Sequence, residues 1–323
     1  QSKMVQAKQE KLLSLIAKRK LKEAQKLYKV LLSSSPSSFI LADLVVPESV
    51  NGDHEFPFSS WHLIHIAAWN DDIDALEWLL SSTTSINRSS LLNCTTKRGQ
   101  TALHIASLRN SVNVAEFLLS NHDICPTIVI DAKNTITRSN QTALHLASII
   151  GSPSIIRALL FKGAKISLKW DKIRGPCTAL GIACWMNKRD AAECLIRNGA
   201  SPWLDDNGLT PIEWAMKRGS EPLFGLLLDS KSLPDPDLML AKAIQRAAAH
   251  GNIAFIPVCQ TAILDRSRSL EKSKPVVNLE VAVRNKHIEF IDQLITSLKE
   301  ILPETLLNQW FGSLLSCLLY TSR

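Results

Sequence analysis

The sequence has none of the short motifs that usually carry chemistry. Its 323 residues hold no glycine-rich phosphate loop, no G-x-S-x-G elbow and no H-E-x-x-H helix. Nucleotide-binding, serine-hydrolase and zincin readings therefore have no starting point. Cysteines at metal spacing are missing as well. Cys94, Cys125, Cys177, Cys184, Cys194, Cys259 and Cys317 are odd in number and never stand as C-x-x-C. Several occupy places that suit a small apolar residue, so buried free thiols in a reducing compartment are expected, with no metal and no cofactor. The amino terminus also lacks an uninterrupted apolar stretch. No secretory leader is expected, the sequons at Asn87, Asn93 and Asn140 are expected to be unused, and the chain reads as intracellular and cytoplasmic.

Net positive charge is missing from most of the chain. The net charge is +7, and residues 1–30 alone carry nine basic side chains against Glu10 and Glu23, an excess that equals the whole. The remaining residues balance, so no nucleic-acid partner is expected despite a pI of about 9.0. An acidic partner would be drawn to the amino-terminal segment first.

What is present is a repeat. Thr142-Ala143-Leu144-His145-Leu146-Ala147-Ser148 is nearly duplicated at Thr101-Ala102-Leu103-His104-Ile105-Ala106-Ser107, and His62-Leu63-Ile64-His65-Ile66-Ala67-Ala68 keeps all but the opening. Weaker copies open at Thr178 and Thr210, giving spacings of 39, 41, 36 and 32 residues. Seventeen residues on, each copy has an aliphatic pair: Leu79-Leu80, Leu118-Leu119, Leu159-Leu160, Leu195-Ile196 and Leu227-Leu228. Two degenerate copies open at Lys242 and Val277. A period of this length means a stack of helix pairs, none of which can bury its apolar face alone. Such a stack offers a groove and no pocket for chemistry.

Each residue type has a physical task. Threonine accepts a hydrogen bond from an orphan amide of the first turn, and alanine or proline suits the position after it. Ala106 and Ala147 let neighbouring helices approach, and Gly151 supplies a left-handed helix end. The aliphatic pair closes a second helix against the first.

At these residues the chain resembles the ankyrin-repeat family, whose signature is Thr-Pro-Leu-His-x-Ala and often ends in Gly-Ala, as at Gly163-Ala164 and Gly199-Ala200. The resemblance covers residues 57–296. It implies an all-α solenoid of about five good and two degenerate repeats. It also implies that His65, His104 and His145 are structural, bonded to the backbone of a neighbouring turn, and that the chain is a non-catalytic scaffold or adaptor.

The ends and interruptions have their own readings. Residues 1–34 predict a basic helical segment that turns near Lys18-Arg19-Lys20 into a hairpin cap, with contact to an anionic membrane as the alternative. Residues 35–56, with Pro36 and Pro47, read as a linker. The first two spacings exceed the usual repeat of about 33, which places insertions near 81–97 and 121–140. Pro257 falls where the sixth copy needs a second helix, and is expected to break or shorten it. Residues 297–323 read as a capping helix, with an uncharged stretch at 305–322 too polar for a good membrane span. The start at Gln1 and the abrupt end suggest an incomplete chain. A second function therefore stays open: the targeting region of a larger enzyme, channel or membrane-associated protein.

Binding residues are expected at the end of each first helix, where the family lines its concave groove. Trp69, Leu108, Ile149 and Trp185 fill that position in four successive copies, followed by Lys217. Lys97, Arg98, Arg138, Lys172 and Arg174 stand at the hairpin tips. Large apolar residues in a row with cations beside them predict a protein partner bearing apolar anchors and acidic flanks. The competing reading packs the tryptophans between repeats.

Overall fold

The computed structural model describes residues 11–12, 14–16, 18–34, 61–83, 85–121, 129–133, 140–170, 178–203, 209–228, 236–251, 253–267 and 287–300. Among them every regular element is helical and no β-strand occurs. Two compact units form, Gln1–Lys172 and Ile173–Arg323.

The first unit starts with the expected hairpin. Residues 11–12 and 14–16 are helical, and the chain turns at Lys18 and Arg19, the latter at φ 56°. Lys20 N donates back to Leu15 O at 2.8 Å, which closes that turn before α1 (Leu21–Ser34) begins. Leu12, Ile16, Ala24 and Tyr28 are buried. The Tyr28 ring meets Trp78 edge-on at 5.4 Å, and so seats the hairpin on the first repeat.

Three helix pairs follow: α2 (Leu63–Asn70) with α3 (Ile73–Ser81), then, after α4 (Ser85–Asn93), α5 (Ala102–Arg109) with α6 (Val112–Ser120), and α7 (Ala143–Ile150) with α8 (Pro153–Phe161). First helices pack on first helices and second on second: α2 on α5 on α7, and α3 on α6 on α8. The alanines make this possible, since Ala67, Ala106 and Ala147 have no exposed surface. Leu79, Leu118 and Leu159 are buried behind them, each stabilising by about 1.5–3 kcal/mol. The first helices end in left-handed residues, but only Gly151 is the glycine of the pattern. Asp71 and Asn110 do the same at φ 54° and 59°, as short polar side chains can. Asp71 also has a second task. Its carboxylate accepts from Asn113 Nδ2 at 2.7 Å and from Val114 N at 2.9 Å, which ties the first repeat to the opening of α6.

The insertion near 81–97 is not merely a loop. It contains α4, which buries Leu91 and Leu92. Of the insertion near 121–140, only 121, 129–133 and 140 are described.

In the second unit α9 (Ala179–Trp185) pairs with α10 (Arg189–Arg197) and α11 (Pro211–Lys217) with α12 (Glu221–Leu228). Then come α13 (Pro236–His250), a 3-10 turn at Ile253–Phe255, α14 (Ile256–Ser267) and α15 (Ile288–Lys299). The stacking rule persists, with α9 on α11 on α13 and α10 on α12 on α14. One expectation fails here. Pro257 does not break its helix, because the 3-10 turn lets α14 begin at Ile256 and run for 12 residues. Proline then sits in the first turn, where its missing N–H has no intrahelical partner to lose. The first helix of the seventh copy and most of the expected capping helix over 297–323 lie outside the described residues. Among the described residues no helix is long and apolar enough to cross a membrane.

Candidate partner-binding surface

In the first unit Trp69, Leu108 and Ile149 end three consecutively packed helices, so the fold brings them into one row. All three are half-buried. Trp69 is held on two sides. Trp61 meets it edge-on at 5.5 Å, and the Arg109 guanidinium carbon lies 4.0 Å from its ring centroid. Such a stack stabilises by about 0.5–2 kcal/mol.

The second unit repeats the device. Trp185 is half-buried, meets Trp214 edge-on at 5.0 Å, and carries Arg218 at 4.5 Å over its ring. Arg218 Nε also donates to the Trp185 carbonyl at 2.7 Å. The Lys217 ammonium lies 5.2 Å from the Trp214 ring centre. Each tryptophan is thus part core and part surface, with a cation from the next repeat lying on it. Arg109 and Arg218 were not singled out from the sequence, although each stands one residue past a groove position. That adjacency was the available signal.

Lys97 and Arg98 are exposed in the tight turn between α4 and α5, where Gly99 N donates to Thr96 O at 2.8 Å. Arg138, Lys172 and Arg174 lie outside the described residues.

The recurring histidines are locks. Nδ1 of His65, His104 and His145 accepts from the backbone N–H of His62, Thr101 and Thr142 at 3.0, 3.2 and 3.1 Å. Nε2 then donates to the carbonyls of Cys94, Gln141 and Leu168 at 3.1, 3.0 and 3.0 Å. One ring closes its own helix start and reaches the following loop. The bond at Nδ1 fixes the proton on Nε2 and the ring as neutral. Burial pushes the His65 pKa down to about 3, with His62 adding to it, and burial also lowers that of His104.

His62, His65 and Cys94 bring ligand-capable atoms within 4.8 Å of one another. The cluster is nonetheless arranged for the lock. His65 has no lone pair left to offer a metal, the Cys94 thiol donates to Leu91 O at 3.0 Å, and burial pushes that thiol up to about 12.

In the fifth copy Glu213 replaces the histidine. Its Oε2 accepts from Thr210 N and Thr210 Oγ1 at 2.6 and 2.9 Å, and its Oε1 pairs with Arg246 Nε of α13 at 2.8 Å. An ion pair between repeats thus stands where the first unit has a neutral bond to a carbonyl.

The comparisons agree with this geometry. Residues 64–170 match a family described as Ankyrin repeats (3 copies). A stretch of 76 residues, 23% of the chain, is 38% identical to the Ankyrin repeat and KH domain-containing protein mask-1 of Caenorhabditis elegans. That stretch spans 3% of the relative's length. Capped first helices, alanine contacts, histidine locks and sequence likeness together make residues 64–170 a run of ankyrin repeats. Ankyrin repeats are, in general, protein–protein interaction modules.

Proposed function

We propose that the chain is a non-catalytic adaptor in the cytoplasm that binds a protein partner along the ends of its first helices. The observation that carries this reading is the row Trp69, Leu108 and Ile149, together with Trp185 in the second unit. One register position is filled again and again by a large side chain that the fold leaves half-open. Interior packing alone would bury it, and a purely solvated surface would not select it. Cations at Arg109, Lys217 and Arg218, with Lys97 and Arg98 at a turn tip, favour a partner with acidic residues flanking apolar anchors. The histidines have no proton or lone pair to spare, which supports a role without catalysis. The mask-1 relative is a far longer protein, so the same row equally suits a targeting region within a larger chain.

The test is affinity capture with the full chain, followed by Trp185→Ala. The variant is expected to weaken capture by about 2 kcal/mol or more while the helical signal is retained. Unchanged capture with a lowered melting temperature would return Trp185 to the core.

A further inference from the structure

Beside the Glu213–Arg246 pair the second unit holds a recess of about 510 Å³ between α11 and α13. Its size lies within the range of ligand sites. Ile212, Met216 and Ala243 give it apolar walls. Lys242, Gln245 and Arg246, spaced three and four residues apart, share the face of α13 that lines it.

The polar groups here are unevenly matched. The Glu213 carboxylate is 7% exposed and already takes three hydrogen bonds, so it needs no cation from outside. Donors are left over. Lys242 is exposed and has no ion pair among the described residues. Arg246 spends Nε on Glu213 while its side chain remains 57% exposed. Trp203 lines the recess, and its Nε1 is buried without an acceptor. A buried N–H left unbonded is destabilising, and an oxygen ligand within reach would relieve it.

We propose that this recess receives the side-chain carboxylate of an acidic residue in a partner peptide, with an adjacent apolar side chain against Met216 and the Trp203 ring. A carboxylate is favoured over a phosphate because Glu213 lines the same recess, and a dianion would be repelled more strongly than a single charge. The proposal deepens the partner-binding reading by naming what one part of the partner must present.

The experiment follows the indole N–H signals of the full chain labelled with ¹⁵N-tryptophan, with Trp203 assigned from the spectrum of Trp203→Phe. The probes are acetyl-leucyl-glutamate amide, acetyl-leucyl-glutamine amide and inorganic phosphate. The glutamate probe is expected to move the Trp203 signal to saturation, the glutamine probe to bind at least tenfold more weakly, and Lys242→Ala to weaken the glutamate probe at least threefold. Lys242 is exposed, so its loss leaves the fold intact. An unmoved Trp203 signal, equal response to glutamine, or equal response to phosphate would each overturn the assignment. The probes share the chemistry proposed for the groove, so they are added also to Trp185→Ala, where a surviving Trp203 response reads the recess alone. A silent recess beside retained Trp185-dependent capture sinks this proposal alone. The reverse result sinks only the groove.

Discussion

The two units close their repeats by different chemistry at one register position. In the first unit a neutral histidine joins the start of its own helix to the next loop, three times over. In the second, that position holds Gly181, which can bond to nothing through a side chain, and Glu213, which reaches Arg246. Repeat geometry therefore does not depend on histidine itself. It requires only that the orphan groups at the first helix be satisfied and that something cross to the next copy. What differs is how each unit responds to its surroundings, since a neutral ring tolerates salt but is lost in mild acid, and an ion pair weakens as salt is added.

Removing a lock should have the largest effect. His104→Ala takes away a buried ring with bonds at both nitrogens and strands the Gln141 carbonyl. The expected loss is about 3 kcal/mol in urea unfolding. A loss below about 1 kcal/mol would mean that the alanine contacts carry the repeat unaided.

Acid comes next and separates the units. His65 and His104 have depressed pKa values when folded, so the unfolded chain takes up their protons first. Their contribution is whole above the unfolded value near 6.5 and is lost as pH falls towards the folded one, about 3 for His65. At pH 5 His65 alone should cost about 2 kcal/mol, with His104 acting in the same direction. Hydrogen exchange between pH 7 and 5 should show protection falling first in α2, α5 and α6. An equal fall across α9 to α12 would remove the contrast.

Arg246→Ala tests the other lock. It leaves Glu213 buried with Thr210 as its partner, and because the arginine is 57% exposed the expected loss is about 1–2 kcal/mol. Restoring histidine, in Glu213→His with Arg246→Ala, should recover part of that and make the second unit acid-sensitive in turn. No recovery would show that the two locks are not interchangeable.

The smallest effect belongs to a helix end. Gly163 sits at φ 89°, and an added Cβ there would meet nothing within 4 Å. Gly163→Ala should therefore cost only the dihedral strain, about 1 kcal/mol, read as a small drop in melting temperature.

Much of the stack was legible because its period comes from backbone needs that recur: a cap, a small contact residue, a turn, an aliphatic pair. The hairpin at Lys18 to Lys20 was legible for the same reason, since a basic turn divides two apolar faces. Pro257 misled because a proline marks equally well the interior of a broken helix or the first turn of a new one, and only the preceding 3-10 turn decides between them. The row of helix-end residues was legible by position but not by state. Register places Trp69 and Trp185 at helix ends, but the arginines over them arrive from the next copy some 33 to 40 residues on. No local pattern announces a stacking partner at that distance. Arg246 escaped notice likewise, because a glutamate in place of a histidine implies a cation somewhere ahead without naming it.

The grip of the Asp71 carboxylate on Asn113 and Val114 has a mechanical side. It joins the left-handed end of one helix to the first turn of a helix in the following copy, and breaking it frees only that one seam. Drawn out by its ends, the first unit should therefore yield seam after seam, as a row of stitches does, and slack appearing at one boundary need not reach the next.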